Sequence, residues 1–308
     1  MSILIVGSLA YDYVMDFPDS FKNHIMPKQL HILNVSFAVD KIEKNFGGCA
    51  GNIAYNVKLL GEEPIIFSSL GADAQDYLSH FKKYKIKNKY INISKQKNTA
   101  SVYIITDKKD NQISAFYSGA LKETTNKSIN KIKEKIKLAL ISPTYKDNMI
   151  KYARECYENK ILFVFDPGQQ ITEFKKKELQ EMISKAKFVI GNDYEIKLMQ
   201  KKTKWNISKM LNKTEVIIIT LEEKGSKIIT QNETINIDSC LLKKIEDPTG
   251  AGDAYRAGFF TAYIEGKDLK ICGKYASLVA KYAIENYGTQ NHFFTRKEID
   301  KKLSNVKL

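Results

Sequence analysis

The sequence predicts an α/β fold in which a central, mostly parallel sheet is flanked by helices and carries a small β lid. Apolar runs of strand length alternate with amphipathic helical patterns along most of the chain. The runs are continuously apolar, which is typical of strands buried on both faces of a parallel sheet. Polar or glycine-rich clusters follow several runs, and in a parallel sheet such positions meet at one edge, where ligands bind.

Six apolar runs are predicted to be strands of the central sheet: Ile3–Gly7, Pro64–Leu70, Leu138–Ser142, Ile161–Asp166, Phe188–Gly191 and Val216–Thr220. The amphipathic stretches are predicted to be helices: Asn52–Leu60, Asp73–Tyr84, Asp147–Asn159, Lys175–Lys185, Glu195–Lys201 and Ala254–Ile264. The first run lacks the basic region and cleavage site of a signal peptide, so we expect a buried strand there.

Two segments break this rhythm and predict the lid. Val35–Val39 and Thr99–Ser118 alternate apolar and polar residues, the period of a strand with one exposed face. Asp107–Asn111 has the composition of a turn, so the second segment is predicted to be an antiparallel hairpin. We expect lid strands at about residues 12–45 and 97–120.

Composition narrows the class of protein. The chain has 308 residues and 43% hydrophobic content, without a linker or repeat, so we expect residues 1–308 to be a single domain.

Its net charge of +14 comes from lysines spread along the chain, without the arginine-rich block that a dedicated nucleic-acid surface would have. No apolar run approaches the roughly 20 residues that span a bilayer. Four scattered cysteines indicate neither zinc nor disulfides, and free thiols favour the cytoplasm. We therefore expect a cytoplasmic protein without nucleic-acid or membrane partners.

The segment Asp247–Asp253 has the composition of an anion site beside a carboxylate. Its glycines let the backbone approach a ligand, and the helix predicted to follow offers unpaired N–H groups to negative charge. Phosphoryl transfer to a hydroxyl needs such a site and a base that accepts the hydroxyl proton, here Asp253. The alternative is that Asp253 only stabilises the start of its own helix.

A second glycine cluster, Gly47 and Gly48 with Asn52, opens the first predicted helix. The Asn52 amide can both donate to and accept from a ligand hydroxyl; alternatively, the glycines permit close packing and Asn52 caps the helix. Asp12, just beyond the first predicted strand, suits paired sugar hydroxyls, or is a surface loop carboxylate.

Two further clusters follow predicted strands. Asn192 precedes Glu195 by three residues. Glu195 could hold a magnesium-bound water, with Asn192 near the phosphates. Alternatively, the two residues form a capping box that starts a helix. Thr220 and Gly225 bound a loop along which a nucleotide could lie; otherwise they form an ordinary turn between two strands.

Gly47-Gly48 with Asn52, and the Asp247–Asp253 segment, resemble the two signatures of the ribokinase-like (PfkB) carbohydrate kinases. The order, the separation and the chain length agree, and the resemblance covers essentially the whole chain. It implies a ribokinase-like α/β sheet with a β lid. It also implies ATP-dependent phosphorylation of a primary hydroxyl on a sugar or nucleoside, with ATP and Mg²⁺ as cofactors and, as in some relatives, a monovalent cation such as K⁺.

The resemblance also implies roles for individual residues. The catalytic set is Asp253 as the base, with Gly250, Ala251 and Gly252 as the anion hole. The substrate set near the sugar hydroxyls is Asp12, Gly47, Gly48 and Asn52. The ATP set is Asn192, Glu195, Thr220, Gly225 and Thr249, with Glu195 holding magnesium through water. Glu222 stands where the nucleotide loop of the family usually has glycine, and Asp166-Pro167-Gly168 departs from the usual Asp-x-Asn.

Within the family, the first glycine cluster and the hairpin look most like the adenosine and nucleoside kinases. Gln112 and Phe116 in the hairpin join the expected substrate set, because a lid aromatic can stack on a base; alternatively, Phe116 only packs the lid. We expect phosphorylation of the 5′-hydroxyl of adenosine. The alternatives are a kinase for free ribose or fructose, and a non-catalytic nucleotide-binding protein on the same fold. Exposed lid edges could also pair in a homodimer.

Overall fold

The computed structural model describes residues 2–26, 32, 34–123 and 127–305. Its strands are β1 (Ser2–Val6), β2 (Ala10–Asp16), β3 (Lys41–Gly47), β4 (Glu63–Phe67), β5 (Ser69–Leu70), β6 (Asn92–Ile93), β7 (Ala100–Thr106), β8 (Gln112–Tyr117), β9 (Ile136–Ile141), β10 (Phe163–Phe165), β11 (Phe188–Asn192), β12 (Val216–Thr220), β13 (Ser226–Ile229) and β14 (Thr234–Ile237). Its α-helices are α1 (Cys49–Leu59), α2 (Gln75–Lys83), α3 (Lys146–Glu158), α4 (Lys176–Lys185), α5 (Asp193–Thr203), α6 (Ile207–Leu211), α7 (Ala251–Ile264), α8 (Leu269–Ile284) and α9 (Arg296–Asn305).

The large sheet has eight strands in the order β14-β13-β12-β11-β10-β9-β1-β4. From β4 to β12 every neighbouring pair is parallel, and β13 and β14 add an antiparallel edge. The predicted α/β class with a mostly parallel sheet is confirmed. The carboxyl ends of the six parallel strands meet at one edge, where the fold gathers its polar loops.

Both faces of the large sheet are covered by helices, which explains the continuously apolar strands. Along β1, Ile3 and Ile5 point into a core formed with α1, α2, α7, α8 and α9. Leu4 and Val6 point into the opposite core, formed with α3, α4, α5 and α6. All four side chains are fully buried. Successive residues of each strand thus serve two cores. No helix within the described ranges is long and apolar enough to cross a membrane.

A small sheet of four strands, in the order β3-β2-β7-β8, stands apart from the large one. Strands β7 and β8 form the predicted hairpin. Its turn is held by the Asp107 carboxylate, which accepts from the backbone N–H groups of Lys109 (2.8 Å) and Asn111 (3.0 Å). The hairpin and its turn are therefore confirmed.

The prediction of a strand over Val35–Val39 is wrong. Strand β2 pairs with β3 only as far as Asp16 and Lys41, so the preceding segment has no neighbouring strand for its backbone. Its alternating pattern has another cause, because the Phe37 ring packs against the Phe17 and Phe21 rings. The predicted run Pro64–Leu70 is divided between β4 and β5, which belong to different sheets.

Candidate active site

Helix α7 begins at the glycine-rich turn that the sequence singled out. Gly250 caps the helix with a left-handed φ of 79°, which favours glycine, and a Cβ there would lie 3.0 Å from the Thr289 side chain. The N–H of Ala251 already donates to the Pro248 carbonyl at 3.2 Å. Gly252 and Asp253 follow in the first turn, where the helix itself supplies no acceptors. Their N–H groups are thus the ones this turn offers to an anion.

Asp247 holds the turn in this shape. One of its carboxylate oxygens accepts from the Thr249 N–H at 2.9 Å, and the other accepts from the Gly288 N–H at 3.1 Å. Thr249 is exposed beside the helix start. Asp247 therefore fixes the segment before the anion-binding turn against the loop after α8.

The Asp253 side chain is held by Asn52 of α1. The Asn52 Nδ2 donates to Asp253 Oδ2 at 2.8 Å, and its Oδ1 accepts from Thr289 Oγ1 (2.7 Å) and Gln290 Nε2 (2.9 Å). Asn52 is only 4% exposed. Its amide is expected from the sequence to contact a substrate hydroxyl; in the structure it donates to the predicted base. Sequence reasoning missed Thr289 and Gln290, which carry no motif of their own.

The environment of Asp253 tunes its acidity. Burial raises the pKa of its carboxyl to about 6, and the nearby Asp166 carboxylate acts in the same direction. The Arg256 guanidinium, the Asn52 amide and the Cys49 thiol oppose this increase. A carboxylate that is ionised at neutral pH, yet has a pKa close to it, is suited to accept a proton.

Asp12 lies inside β2 rather than in the loop where the sequence placed it, because the chain turns back into a strand after only three residues. Burial raises the pKa of its carboxyl to about 7, with further increases from the Asp247 and Asp253 carboxylates. Across the strand pair, a Cβ on Gly47 would lie 2.2 Å from Asp12 Oδ2, so a larger residue there would displace the Asp12 carboxylate. Asp12 and Asp253 therefore influence each other electrostatically within one site.

Gly48 has a structural role in the first glycine cluster. Its φ is 85°, and a Cβ would lie 2.6 Å from the Ser8 carbonyl oxygen. The same carbonyl accepts from the Ala50 N–H at 2.9 Å. Gly48 thus lets the start of α1 pack against the loop between β1 and β2, as the close-packing alternative predicts.

The small sheet places Phe116 and Gln112 differently with respect to Asp12. Asp12 is paired with Val102, which is paired with Phe116, so the three residues form one row on one face. Gln112 belongs to the row of Asp16, four residues along the strand, or about 13 Å away. The register brings Phe116, which is 59% exposed, level with Asp12 and leaves Gln112 at the far end.

Asn192 and Glu195 form the capping box that the sequence allowed. Asn192 Oδ1 accepts from the Glu195 N–H, and Glu195 Oε2 accepts from the Asn192 N–H, both at 2.8 Å. Burial and the Asp166 carboxylate raise the pKa of Glu195. The cap uses Oε2, so Oε1 is not needed for it. The structural and the magnesium-binding interpretations are compatible.

Thr220 and Gly225 bound a tight turn between β12 and β13. Gly225 has a φ of 80°, and a Cβ would lie 2.0 Å from the Ile237 carbonyl oxygen, so the turn itself requires glycine. Thr220 ends β12, paired with Ser226. Glu222, at the position where glycine was expected, has a φ of 53°, a conformation that favours glycine.

A buried ion pair next to Asp253 was not anticipated. The Arg256 guanidinium of α7 donates to both carboxylate oxygens of Asp166, from Nε and Nη2, each at 2.6 Å. A sequence signal existed, because a single arginine stands among the apolar and small residues of α7. A charge in such a helix must find a partner when it is buried.

Comparisons with known proteins identify the family of this chain. The profile of the pfkB family carbohydrate kinases matches residues 5–296. The nucleoside kinase of Methanocaldococcus jannaschii is 32% identical, covering 98% of this chain and 96% of that protein. The chain belongs to the pfkB family of carbohydrate kinases. The nucleoside kinase of Methanothermobacter thermautotrophicus is 30% identical, over 94% of this chain and 91% of its own length.

Solved structures place this pfkB family chain in the ribokinase-like fold. The structure of the Burkholderia thailandensis nucleoside kinase in complex with inosine has a TM-score of 0.89 and 35% identity, covering 99% of this chain and 97% of the other. Membership of the family makes the chain an ATP-dependent kinase that phosphorylates a hydroxyl group. The predicted family, fold and type of enzyme are thereby confirmed.

Proposed function

We propose that this kinase transfers the γ-phosphoryl group of ATP to the 5′-hydroxyl of a nucleoside, with adenosine as its acceptor. The observation that carries the reaction is the placement of Asp253 at the start of α7, bonded to Asn52 and with a pKa raised to about 6. A base poised in this way beside free backbone N–H groups meets the needs of phosphoryl transfer.

Two observations support a nucleoside as the acceptor. The archaeal relatives described above are nucleoside kinases, and the Burkholderia thailandensis nucleoside kinase has been solved in complex with inosine and with ADP-inosine. In this chain, Asp12 and the exposed Phe116 ring stand two strands apart in one row, about 10 Å. That separation suits a carboxylate on the ribose hydroxyls and an aromatic ring on the base.

The reaction follows from the positions of the side chains. Asp12 fixes the ribose hydroxyls, and Asp253 accepts the proton of the attacking 5′-hydroxyl. The N–H groups of Gly252 and Asp253, with the Gly250–Ala251 turn before them, stabilise the charge on the transferred group. Asn192, Thr220 and Gly225 line the nucleotide side in this scheme, with Thr249 beside the phosphates. When Mg²⁺ is bound, it neutralises phosphate charge, and Glu195 Oε1 is available to one of its waters.

The proposal extends to the parts around this centre. The small sheet acts as a lid that excludes water, within one domain spanning residues 1–308, and its outer strand β8, exposed at every residue, pairs two subunits in a homodimer. A monovalent cation such as K⁺ belongs to this scheme as an activator. The four free cysteines favour a reducing cytoplasm.

The test is phosphate transfer from ATP to a panel of acceptors: adenosine, inosine, ribose and fructose. We expect the largest kcat/KM with adenosine and weak transfer to the free sugars, which lack a base for Phe116. A preference for inosine would keep the nucleoside class and remove adenosine. A preference for ribose or fructose would defeat the nucleoside proposal, and ATP binding without transfer to any acceptor would favour a non-catalytic protein.

A further inference from the structure

Arg256 lies one turn after Asp253 on α7 and is only 8% exposed. Two of its nitrogens bind the Asp166 carboxylate, as described, and the third, Nη1, donates to the Gly252 carbonyl at 2.9 Å. Asp166 is 1% exposed and directly follows β10. The guanidinium therefore connects the large sheet to the first turn of α7 through three bonds.

The bond to Gly252 has a consequence for the anion site. The Gly252 carbonyl belongs to the same peptide unit as the N–H of Asp253, and in a planar trans peptide these two groups point in opposite directions. Fixing the carbonyl on Arg256 therefore fixes the direction of the N–H. A cation on the carbonyl also polarises the peptide and strengthens the N–H as a donor.

The groups that act on the pKa of Asp253 come from several elements. The Cys49 thiol and the Asn52 amide face it from α1, and the Asp166 carboxylate faces it from the end of β10. Asp12 on β2 is coupled to it, and Glu195 on α5 is coupled to Arg256. Among these groups, Arg256 carries the positive charge. Without it, the charged groups that remain around Asp253 would all be carboxylates.

We propose that Arg256, anchored by Asp166, is a positioning residue that aims the N–H of the Gly252–Asp253 peptide at the transferred phosphoryl group and offsets the negative charge around Asp253. This inference rests on the proposed kinase mechanism and adds to it two residues outside the expected catalytic and ATP-binding sets. A merely structural ion pair joining α7 to β10 is the competing interpretation. The two differ in what happens to the pH dependence of the reaction.

The experiment compares pH profiles of kcat and kcat/KM for Arg256→Gln and Asp166→Asn. Removing the cation should raise the pKa of Asp253, so the acid limb of Arg256→Gln should move to higher pH by roughly half a unit or more. Removing the Asp166 charge should move the acid limb to lower pH. We also expect kcat of Arg256→Gln to fall about tenfold to a hundredfold, with the nucleoside KM within about threefold of wild type.

Arg154→Gln is the matched control. Arg154 forms an equally bidentate pair with Glu181, at 2.8 and 2.7 Å, but on the exposed surface of α3 and α4. Its loss should leave both pH profiles and kcat unchanged. Arg256→Lys is the second probe, because it keeps the charge and loses the planar fork. Its acid limb should stay near wild type while kcat falls, and it replaces Arg256→Gln if that variant does not fold.

Opposite pH shifts from the two halves of one ion pair would support the proposal. Equal stability losses in both variants, with the acid limb in place and kcat intact, would overturn it and leave a structural ion pair. Asp253→Asn measured in parallel separates the two levels of inference. If Asp253→Asn retained normal turnover, the proposed mechanism itself would fail; if only Asp253→Asn lost turnover, the role of Arg256 alone would fail.

Discussion

At the scale of single residues, Asp253 owes its chemistry to groups from distant parts of the chain. Asn52 fixes the direction of its carboxylate, while Arg256 lowers and Asp166 raises its pKa. The amide of Asn52 is itself oriented by Thr289 and Gln290. The base is thus pre-organised by hydrogen bonds, which is what a proton acceptor needs to act without rearrangement.

The first prediction concerns this base. Asp253→Asn removes the proton acceptor and keeps the size of the side chain, so kcat should fall by about a hundredfold or more, with smaller changes in KM. Steady-state assays with adenosine and ATP measure it. Asp147→Asn, in the first turn of α3, is the control for a helix-start carboxylate, and it should match wild type. Near-normal turnover in folded Asp253→Asn would remove its role as a base.

The second prediction concerns stability and Asp12. Its pKa is raised to about 7 in the folded protein, above the ordinary value of 3.8. The stabilising contribution of such a group is present below about pH 4 and is lost as the pH rises through 7. Asp12→Asn should therefore raise the free energy of unfolding at pH 8 by about 1–2 kcal/mol, allowing for local relaxation, and by little near pH 4.

Denaturant unfolding at the two pH values measures this difference. Asp16→Asn is the matched control, because Asp16 lies at the exposed end of the same strand. It should follow wild type at both pH values. A larger gain for Asp12→Asn at pH 4 than at pH 8 would contradict the sign of the argument.

At the scale of elements, strands buried on both faces could be predicted from the sequence and strands of the small sheet only in part. Continuous apolar runs such as Val216–Thr220 indicate from the sequence alone that the strand is buried. In strand β2 the alternation of Tyr11, Asp12 and Tyr13 stops at Val14, so the pattern is too short to define a strand, and β2 is covered only from Asp12 onward by the lid range expected from the sequence. Val35–Val39 had the right period but no neighbouring strand. The alternation of apolar and polar residues indicates which face of a strand is buried, but it does not identify the neighbouring strand that a sheet requires.

The third prediction concerns the nucleotide loop. Glu222 combines a negative charge with a left-handed φ of 53° in a loop proposed to meet a triphosphate. Glu222→Gly should lower the KM for ATP by about twofold to fivefold, because it removes repulsion and local strain. Stability should change by less than about 1 kcal/mol, since the relieved strain is offset by the entropy of glycine in the unfolded chain.

Glu222→Gln separates the two causes, because it removes the charge and keeps the strained backbone. An equal decrease in the KM for ATP would assign the effect to charge, and no decrease would assign it to the backbone. If neither variant changed the KM for ATP, the nucleotide would not lie along this loop.

At the scale of the whole molecule, the site is assembled from segments that are far apart in sequence. The edge of the parallel sheet where polar clusters converge could be predicted, because topology alone brings strand ends together. The bonds that cross this edge could not, since Asn52 and Gln290 are separated by 238 residues and meet only in the folded chain. The same holds for Arg256 and Asp166, whose pairing depends on how α7 packs on the sheet.

The last prediction concerns assembly. Strand β8 is the outer edge of the small sheet, and it exposes Ile113 and Tyr117 on the face opposite Asp12. An open strand edge with apolar side chains is a template for pairing, and two copies of this chain would close each other's edge. Wild type should sediment as a dimer at micromolar concentration, and Ile113→Lys with Tyr117→Lys should sediment as a monomer. Ile93→Lys, at 44% exposure against 40% for Ile113, is the control and should remain dimeric. A monomeric wild type would exclude pairing through β8, because the edge of this strand would then be unpaired in solution.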